Sequence, residues 1–195
     1  MKILAATNNK HKLEELKSIL VPHGIEVISA AEAGGIPDVV EDKSTFEGNA
    51  AKKAIETAIA KNMIVFADDS GLCVDALDGR PGVYSARYAG PDATDSDRIN
   101  KLLGKLKNSK NRSAKFVCVI ALASPEGIIG TASGECHGVI SKSPLGDKGF
   151  GYDPVFIPCG YDKSFAELGE DIKNSLSHRG EALKNALELG LFKVT

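Results

Sequence analysis

The chain has no apolar run long enough to cross a bilayer. Its N-terminus, Met1-Lys-Ile-Leu-Ala-Ala-Thr-Asn-Asn, lacks the apolar core of a secretory signal and reads as the first strand of a cytoplasmic protein. Closely spaced cysteines are missing too. Cys73, Cys118, Cys136 and Cys159 stand far apart with no CxxC pair, which argues for packing thiols over a zinc site or a disulfide frame. There is little excess charge: 24 Lys and Arg against 26 Asp and Glu give a net charge of -2. Neither a nucleic-acid partner nor an acidic membrane surface is therefore expected, and any basic site must be local. Internal repeats and low-complexity tracts are absent, and so is the GxxxxGK[ST] spacing of a Walker loop.

What is present is ordinary for a globular chain. The 195 residues are 43% hydrophobic and 26% charged, enough for one domain over residues 1–195 with its own core. Residues 2–6 and Ile25 to Ser29 read as strands. Lys10 to Leu20 reads as a helix, with Leu13, Leu16, Ile19 and Leu20 on one face. Thr45 to Lys61 is a second helix, whose Ala50, Ala54 and Ala58 permit close packing. Met63 to Ala67 is a strand closed by Asp68 and Asp69. Thr94 to Lys107 is a helix opened by a Thr94–Asp97 capping box, with Ile99, Leu102, Leu103 and Leu106 facing the core. Asn108 to Ser113 is a polar loop. Ala114 to Ala123 is apolar on both faces and so central in its sheet. The turn at 124–127 leads into a second long strand over about 128–140. Val155 to Ile157 is a short strand, and a last helix spans Asp171 to Leu189, stopped by Gly190. This order implies an α/β fold with a long mixed sheet flanked by helices. The long hairpin is expected to build a second lobe, with a central cleft as the natural place for a ligand.

Four stretches carry chemistry. In ATNNKHKLEEL (residues 6–16) a strand runs through Thr7, Asn8 and Asn9 into a helix that begins Lys10-His11-Lys12. N–H groups at a helix start favour an anion, and cations there oppose the macrodipole unless an anion docks. An Asn cap with solvated lysines is the plain alternative. Glu41 and Asp42 precede the second helix, while Asp68 and Asp69 follow the next strand. Such carboxylates together with phosphate oxygens would make a Mg²⁺ shell. Taken alone, Asp68-Asp69-Ser70-Gly71 reads first as an Asx turn, and the cation-bearing loop at a neighbouring strand end is what favours the metal–phosphate reading. In GFGYDPVF (149–156) glycines frame Phe150, which suits either a stacking platform for a flat base or the core. In KNSLSHRGEAL (173–183) Lys173, Ser177 and Gly180 share a helix side, with His178 and Arg179 adjacent. These are donors for a phosphate or a base carbonyl, or else a solvated basic face.

In this order, with TFEGNAAKKA and FADDSGLCVDALDGRPGVYSARYAG between them, the stretches resemble the inosine triphosphate pyrophosphatase family (XTP/dITP diphosphatase, Ham1-like) from residue 6 to residue 183. The resemblance implies a homodimeric, two-lobed α/β enzyme. It implies Mg²⁺-dependent hydrolysis of ITP, dITP and XTP to the monophosphate and pyrophosphate. By the same resemblance Thr7, Asn8, Asn9, Lys10, His11 and Lys12 form the triphosphate loop. Asp69 is a metal ligand and the general base, Glu41 the second metal carboxylate, and Ser70 a substrate contact. Phe150, Gly151, Tyr152 and Asp153 form the base loop. Lys173, His178 and Arg179 contact substrate, the last two near the purine 6-oxo group, and Lys53 is a further phosphate ligand.

Two positions depart from the family pattern. Gly48 stands where members often carry Glu, so Glu47 or Asp42 would have to take over any role of that Glu. Asn8 stands where many have Gly, and Asn tolerates the left-handed conformation better than most residues. Maf-like pyrophosphatases, a non-catalytic nucleotide sensor and a protein-interaction domain are the rival readings. GFGYDP and SHRG oppose the first, Asp69 with Glu41 the second, and the cation-bearing loop with the Asp pair the third.

Overall fold

The computed structural model describes residues 1–193, with residues 170, 171 and 174 described by backbone alone. Six strands form one sheet: β1 (Lys2–Ala5), β2 (Glu26–Ile28), β3 (Val65–Val74), β4 (Ser113–Ser124), β5 (Gly127–Ile140) and β6 (Phe156–Pro158), in the order β2-β1-β3-β4-β5-β6. β1 pairs in parallel with both β2 and β3, whereas β5 and β6 are antiparallel. Pro125 and Glu126 alone join β4 to its neighbour β5, which only an antiparallel pair allows. The sheet is thus mixed, as the sequence implies. The helices are α1 (Lys10–Leu20), α2 (Phe46–Lys61), α3 (Asp95–Lys105), α4 (Phe165–Leu168), α5 (Glu170–Leu176) and α6 (His178–Glu188). No helix among the described residues is long and apolar enough to cross a membrane.

The chain divides into two compact units, and β3, β4 and β5 each contribute residues to both. The first unit holds residues 1–69, 118–134 and 179 onward. Here strand periodicity decides the packing. Ile3 and Ala5 of β1 and Cys118, Ile120 and Leu122 of β4 enter one core with Leu16 and Leu20 of α1 and Leu183 and Ala186 of α6. Their neighbours Leu4, Ala121 and Ala123 enter another core with Ala50, Ala54 and Ala58 of α2. Both faces of this part of the sheet are therefore covered by helices. The alanines of α2 are fully buried, as their four-residue spacing suggests. Thr45 caps α2, its Oγ1 accepting from Gly48 N at 3.1 Å.

The second unit, residues 70–117 and 135–178, has its own core. Ile99, Leu102 and Leu106 from α3 and its C-cap pack there with Leu72, Val74, Ile140, Val155 and an aromatic cluster. In that cluster the Phe116 and Phe156 rings lie 4.7 Å apart, and Phe156 and Phe165 5.3 Å. The Thr94–Asp97 capping box at the start of α3 is formed.

Two expected elements differ in the structure. β3 does not end before the acidic pair: it runs on to Val74, with Asp68 and Asp69 in mid-strand. The Asx-turn reading falls with it. Asp is a poor strand former, but ion pairs and hydrogen bonds to distant residues hold both side chains and override that preference. The last helix is broken at Ser177, whose φ of -71° and ψ of 152° are extended. That is the conformation of a serine heading a new helix, and α6 starts at the next residue. Lys173 and Ser177 therefore do not share one continuous helix face. The short α4 and the 3-10 stretch Gly82–Arg87 have no counterpart in the sequence reading.

Candidate active site

The adjacent carboxylates of β3 have different fates because a strand sends neighbouring side chains to opposite faces. Phe66, and so Asp68, belongs to the α1/α6 face, while Val65 and Ala67, and so Asp69, belong to the α2 face. Both carboxylates are buried, at 3% and 5% exposure. Asp68 meets cations: Lys12 Nζ of α1 donates to Oδ2 at 2.9 Å and Arg179 Nη2 of α6 at 3.1 Å. Burial pushes the Asp68 carboxyl up, but Lys12, Arg179 and Lys53 outweigh it and hold the group far below the usual carboxylate range. Asp69 meets an amide, accepting from Asn49 Nδ2 of α2 at 2.9 Å. Burial and the negative charge of Glu41 push the Asp69 carboxyl up to about 6, against the pull of the Asn49 bond and of Lys53. One carboxylate is thus a fixed anion, and its neighbour exchanges a proton near neutrality. Separated protonation states of this kind mark acid–base sites.

Glu41 is joined to this centre through Lys53, whose ammonium bonds the Glu41 carboxylate. Burial lowers the Lys53 pKa, yet Asp68, Glu41 and Asp69 together raise it, so it stays charged. The donor set is carboxylate oxygen alone. Among the described residues no three His, Cys, Asp or Glu side chains converge on a metal site. Two carboxylates still fit Mg²⁺, which usually takes one or two together with substrate phosphates and water.

The loop before α1 is organised by its own side chains. Asn9 Oδ1 accepts from the N–H groups of His11 at 3.0 Å and Lys12 at 3.3 Å, and Thr7 Oγ1 accepts from Asn9 N at 3.1 Å. Asn8, Asn9, Lys10 and His11 are exposed, while Lys12 turns inward to Asp68. Asn8 needs no left-handed conformation: the non-glycine residues with positive φ among those described are Asn62 and Asp78. At Gly48 a Cβ would lie 2.9 Å from Lys43 Cβ and 3.0 Å from Thr45 Oγ1. The two carboxylates considered as substitutes there have other partners: Thr131 donates to Glu47, and Asp42 pairs with Lys52 at 3.0 Å.

The second unit carries the remaining expected residues. Phe150 N and Lys173 Nζ both donate to Asp153 Oδ2, at 2.9 and 2.7 Å, and the Lys173 ammonium lies 4.1 Å from the Phe150 ring centre. Tyr152 is buried in the core, its hydroxyl donating to Ser85 O at 3.0 Å. The His178 ring stacks on Phe116 at 4.7 Å. Ser70 is half-buried in β3. Gly149 makes this loop possible: its φ is +76°, and a Cβ would lie 2.3 Å from Asp153 Oδ2. Gly149→Ala should therefore displace the Asp153 carboxylate from Phe150 and Lys173. A stability loss of about 2 kcal/mol, seen as a lower urea midpoint at unchanged slope, is expected, since the backbone conformation alone costs about 1–2 kcal/mol. An unchanged midpoint would contradict it.

Two residues of the site were not singled out from sequence. Asn49 is fully buried and orients Asp69, and its Oδ1 also accepts from Lys43 N at 2.9 Å. The signal was a lone amide one residue before the alanine stripe. Glu15 is buried against the Arg179 guanidinium. Its signal was the three-residue step from Lys12, which places both on one face of α1 beside Leu16. Arg179, expected near a base, thus spans Glu15 and Asp68 in the first unit.

Known proteins resemble this chain along nearly its whole length. A dITP/XTP pyrophosphatase of Desulforamulus reducens is 50% identical over 191 residues, covering 97% of this chain and 95% of that one. The dITP/XTP pyrophosphatase of Bacillus subtilis is 47% identical over 188 residues, covering 95% of each. The structure of a HAM1 protein from Coxiella burnetii superposes with a TM-score of 0.90 at 40% identity, each chain covered completely. The Staphylococcus aureus Ham1 protein gives 0.86 at 42% identity, with 97% of this chain and 99% of that one covered. The Ham1 family model matches residues 3–189, and the chain belongs to the Ham1 family.

Proposed function

We propose that this chain is a nucleoside-triphosphate pyrophosphatase that hydrolyses ITP, dITP and XTP to the monophosphate and pyrophosphate, clearing deaminated purines from the nucleotide pool. The observation that carries this is the divided state of Asp68 and Asp69, with Glu41 and Lys53 beside them. Asp69 serves as general base: an attacking water forms the new P–O bond, its proton passes to Asp69, and the bridging oxygen leaves with pyrophosphate. Asp69 and Glu41 would hold Mg²⁺, which supplies charge neutralisation at the phosphates when bound. Lys53 and the loop Thr7 to Lys12 hold phosphate oxygens and stabilise the developing negative charge. Ser70 is a further substrate contact.

In the second unit, Phe150 to Asp153, Lys173 and His178 receive the base, with Arg179 adjacent in sequence. Donors from His178 and Arg179 suit the 6-oxo acceptor of hypoxanthine or xanthine. The 6-amino donor of adenine would leave them unmatched, at roughly 1–3 kcal/mol per buried group. The enzyme works as a cytoplasmic homodimer, with neither nucleic acid nor membrane as partner. Product analysis tests the reaction class: ITP should yield IMP and pyrophosphate in equal amounts, whereas IDP and orthophosphate would contradict the proposal.

The raised Asp69 pKa predicts the pH dependence of metal binding. A group raised to about 6 carries a proton below that pH, and a divalent cation must displace it. Mg²⁺ should therefore bind about tenfold more weakly near pH 5 than near pH 7.5, with proton release on binding at the lower pH. Thermal shift and calorimetry in two buffers read this directly. Binding that is equal at both pH values, or tighter in acid, would contradict it.

A further inference from the structure

The loop proposed to receive the base is tied twice to one short stretch of the second unit. Gly151 has no side chain, so only its backbone can be held, and its N–H donates to Asp95 Oδ2 at 2.7 Å. Asp95 is the first residue of α3, and Arg98, three residues on, closes on its other oxygen. The same guanidinium donates to Ala86 O at 2.9 Å and Ala93 O at 2.6 Å. The next loop residue takes an independent route: Tyr152 Oη donates to Ser85 O at 3.0 Å. Ser85 is itself fixed, its Oγ accepting from Leu72 N at 2.9 Å and donating to Gly82 O at 2.7 Å. Neighbours in the loop, Gly151 and Tyr152, are thus anchored to neighbours in the 3-10 stretch, Ala86 and Ser85. Capping of α3 does not need Asp95, because Thr94 and Asp97 already form the box there.

We propose that Asp95 and Arg98 are a positioning pair for the base-binding loop, setting affinity for the nucleotide base without taking part in phosphate chemistry. This rests on the function proposed above. The bond from Gly151 N–H is charge-assisted and so stronger than a neutral one. Without it the loop carrying Phe150 loses one of its two ties to Gly82–Arg87, and small displacements of a positioned group have large effects on binding. The 43% exposed carboxylate of Asp95 is accessible to substitution without leaving a cavity.

The test is Asp95→Ala in the full chain, with ITP as substrate and inorganic tripolyphosphate as a base-free competitive inhibitor. The KM for ITP should rise about tenfold, the scale of one lost charge-assisted hydrogen bond, with kcat within about twofold and the tripolyphosphate Ki unchanged. Hydrogen exchange over residues 149–153 should accelerate. Asp95→Asn keeps an acceptor for Gly151 N–H and should return KM to within about threefold of the unmodified chain. An unmoved KM, or a tripolyphosphate Ki that rises in step with KM, would overturn the assignment. If the unmodified chain fails to hydrolyse ITP, the proposed function falls on that result alone. The exchange rates then decide the positioning pair: faster exchange at 149–153 in Asp95→Ala supports it, and unchanged exchange overturns it.

Discussion

Asp69→Asn should still bind ITP, at most about tenfold more weakly through its lost metal ligand, and lose about a thousandfold in kcat, the midrange of what a positioned general base contributes. The same substitution should stabilise the metal-free protein. Asp69 sits in mid-strand, 5% exposed, with its carboxyl pushed up to about 6 chiefly by burial and by the charge of Glu41. A carboxyl raised above its unfolded value contributes stability below that unfolded value and loses it as pH rises through about 6. At neutral pH the ionised group is therefore a cost, and an uncharged amide removes it. Asn is also nearly isosteric, and its Oδ1 can accept the bond that Asn49 Nδ2 now gives to Asp69. The gain should be about 1–2 kcal/mol near pH 7, or roughly 3–6 °C in Tm for a chain of this size. Near pH 4 the difference should vanish. A variant that is both more stable and nearly inactive is the signature of a site whose charge is kept for function. Turnover within tenfold of the unmodified chain would remove Asp69 from the base role. A lower Tm at neutral pH would contradict the electrostatic account.

Arg179→Ala should have the largest effect on stability. Its guanidinium, 2% exposed, spans Asp68 and Glu15, which are also buried. Removing one member of such a group leaves its partners as uncompensated buried charges, a loss of about 3–5 kcal/mol. For a chain of this length that is roughly 10 °C in Tm. Lys12 still meets Asp68 at 2.9 Å, which limits the loss on that side. Arg179→Lys should recover less than half, because an ammonium cannot span two carboxylates as a planar fork does. The pH dependence has a definite sign. Asp68 is held far below the usual carboxylate range, so its stabilising contribution is present above its unfolded pKa and fades only in strong acid. The deficit of Arg179→Ala should therefore be larger near pH 7 than near pH 4, where Asp68, relieved of the pull of the guanidinium, takes up protons more readily in the variant. A Tm within 3 °C of the unmodified protein at neutral pH would contradict this.

Much of the fold is legible in local pattern. The alanine spacing of α2, the Thr94–Asp97 box and the two-residue turn between β4 and β5 are short-range features, and each appears as its residues suggest. The site is less legible because its decisive contacts are long-range. Asp68 meets Lys12 and Arg179 at sequence separations of 56 and 111, and Asp69 meets Asn49 at a separation of 20. Strand periodicity foretells that adjacent aspartates part company, but not that one meets two cations and the other an amide. The extension of β3 has the same origin: two acidic residues argue locally for a turn, and their distant partners keep them in the strand. At Ser177 a single polar residue shifts from helix interior to helix start, and periodicity across 171–189 does not register the change.

Selection by the 6-oxo group and release of pyrophosphate are read together by kcat/KM for pyrophosphate release from ITP, XTP, GTP, ATP and dTTP in parallel, with Mg²⁺. ITP and XTP should exceed ATP by at least about a hundredfold, the product of two unmatched donors at about 1.4 kcal/mol each. Preference for dTTP would contradict it and point to the Maf-like reading. Equal rates on all five would remove base selection, and tight ITP binding without turnover would make the chain a sensor.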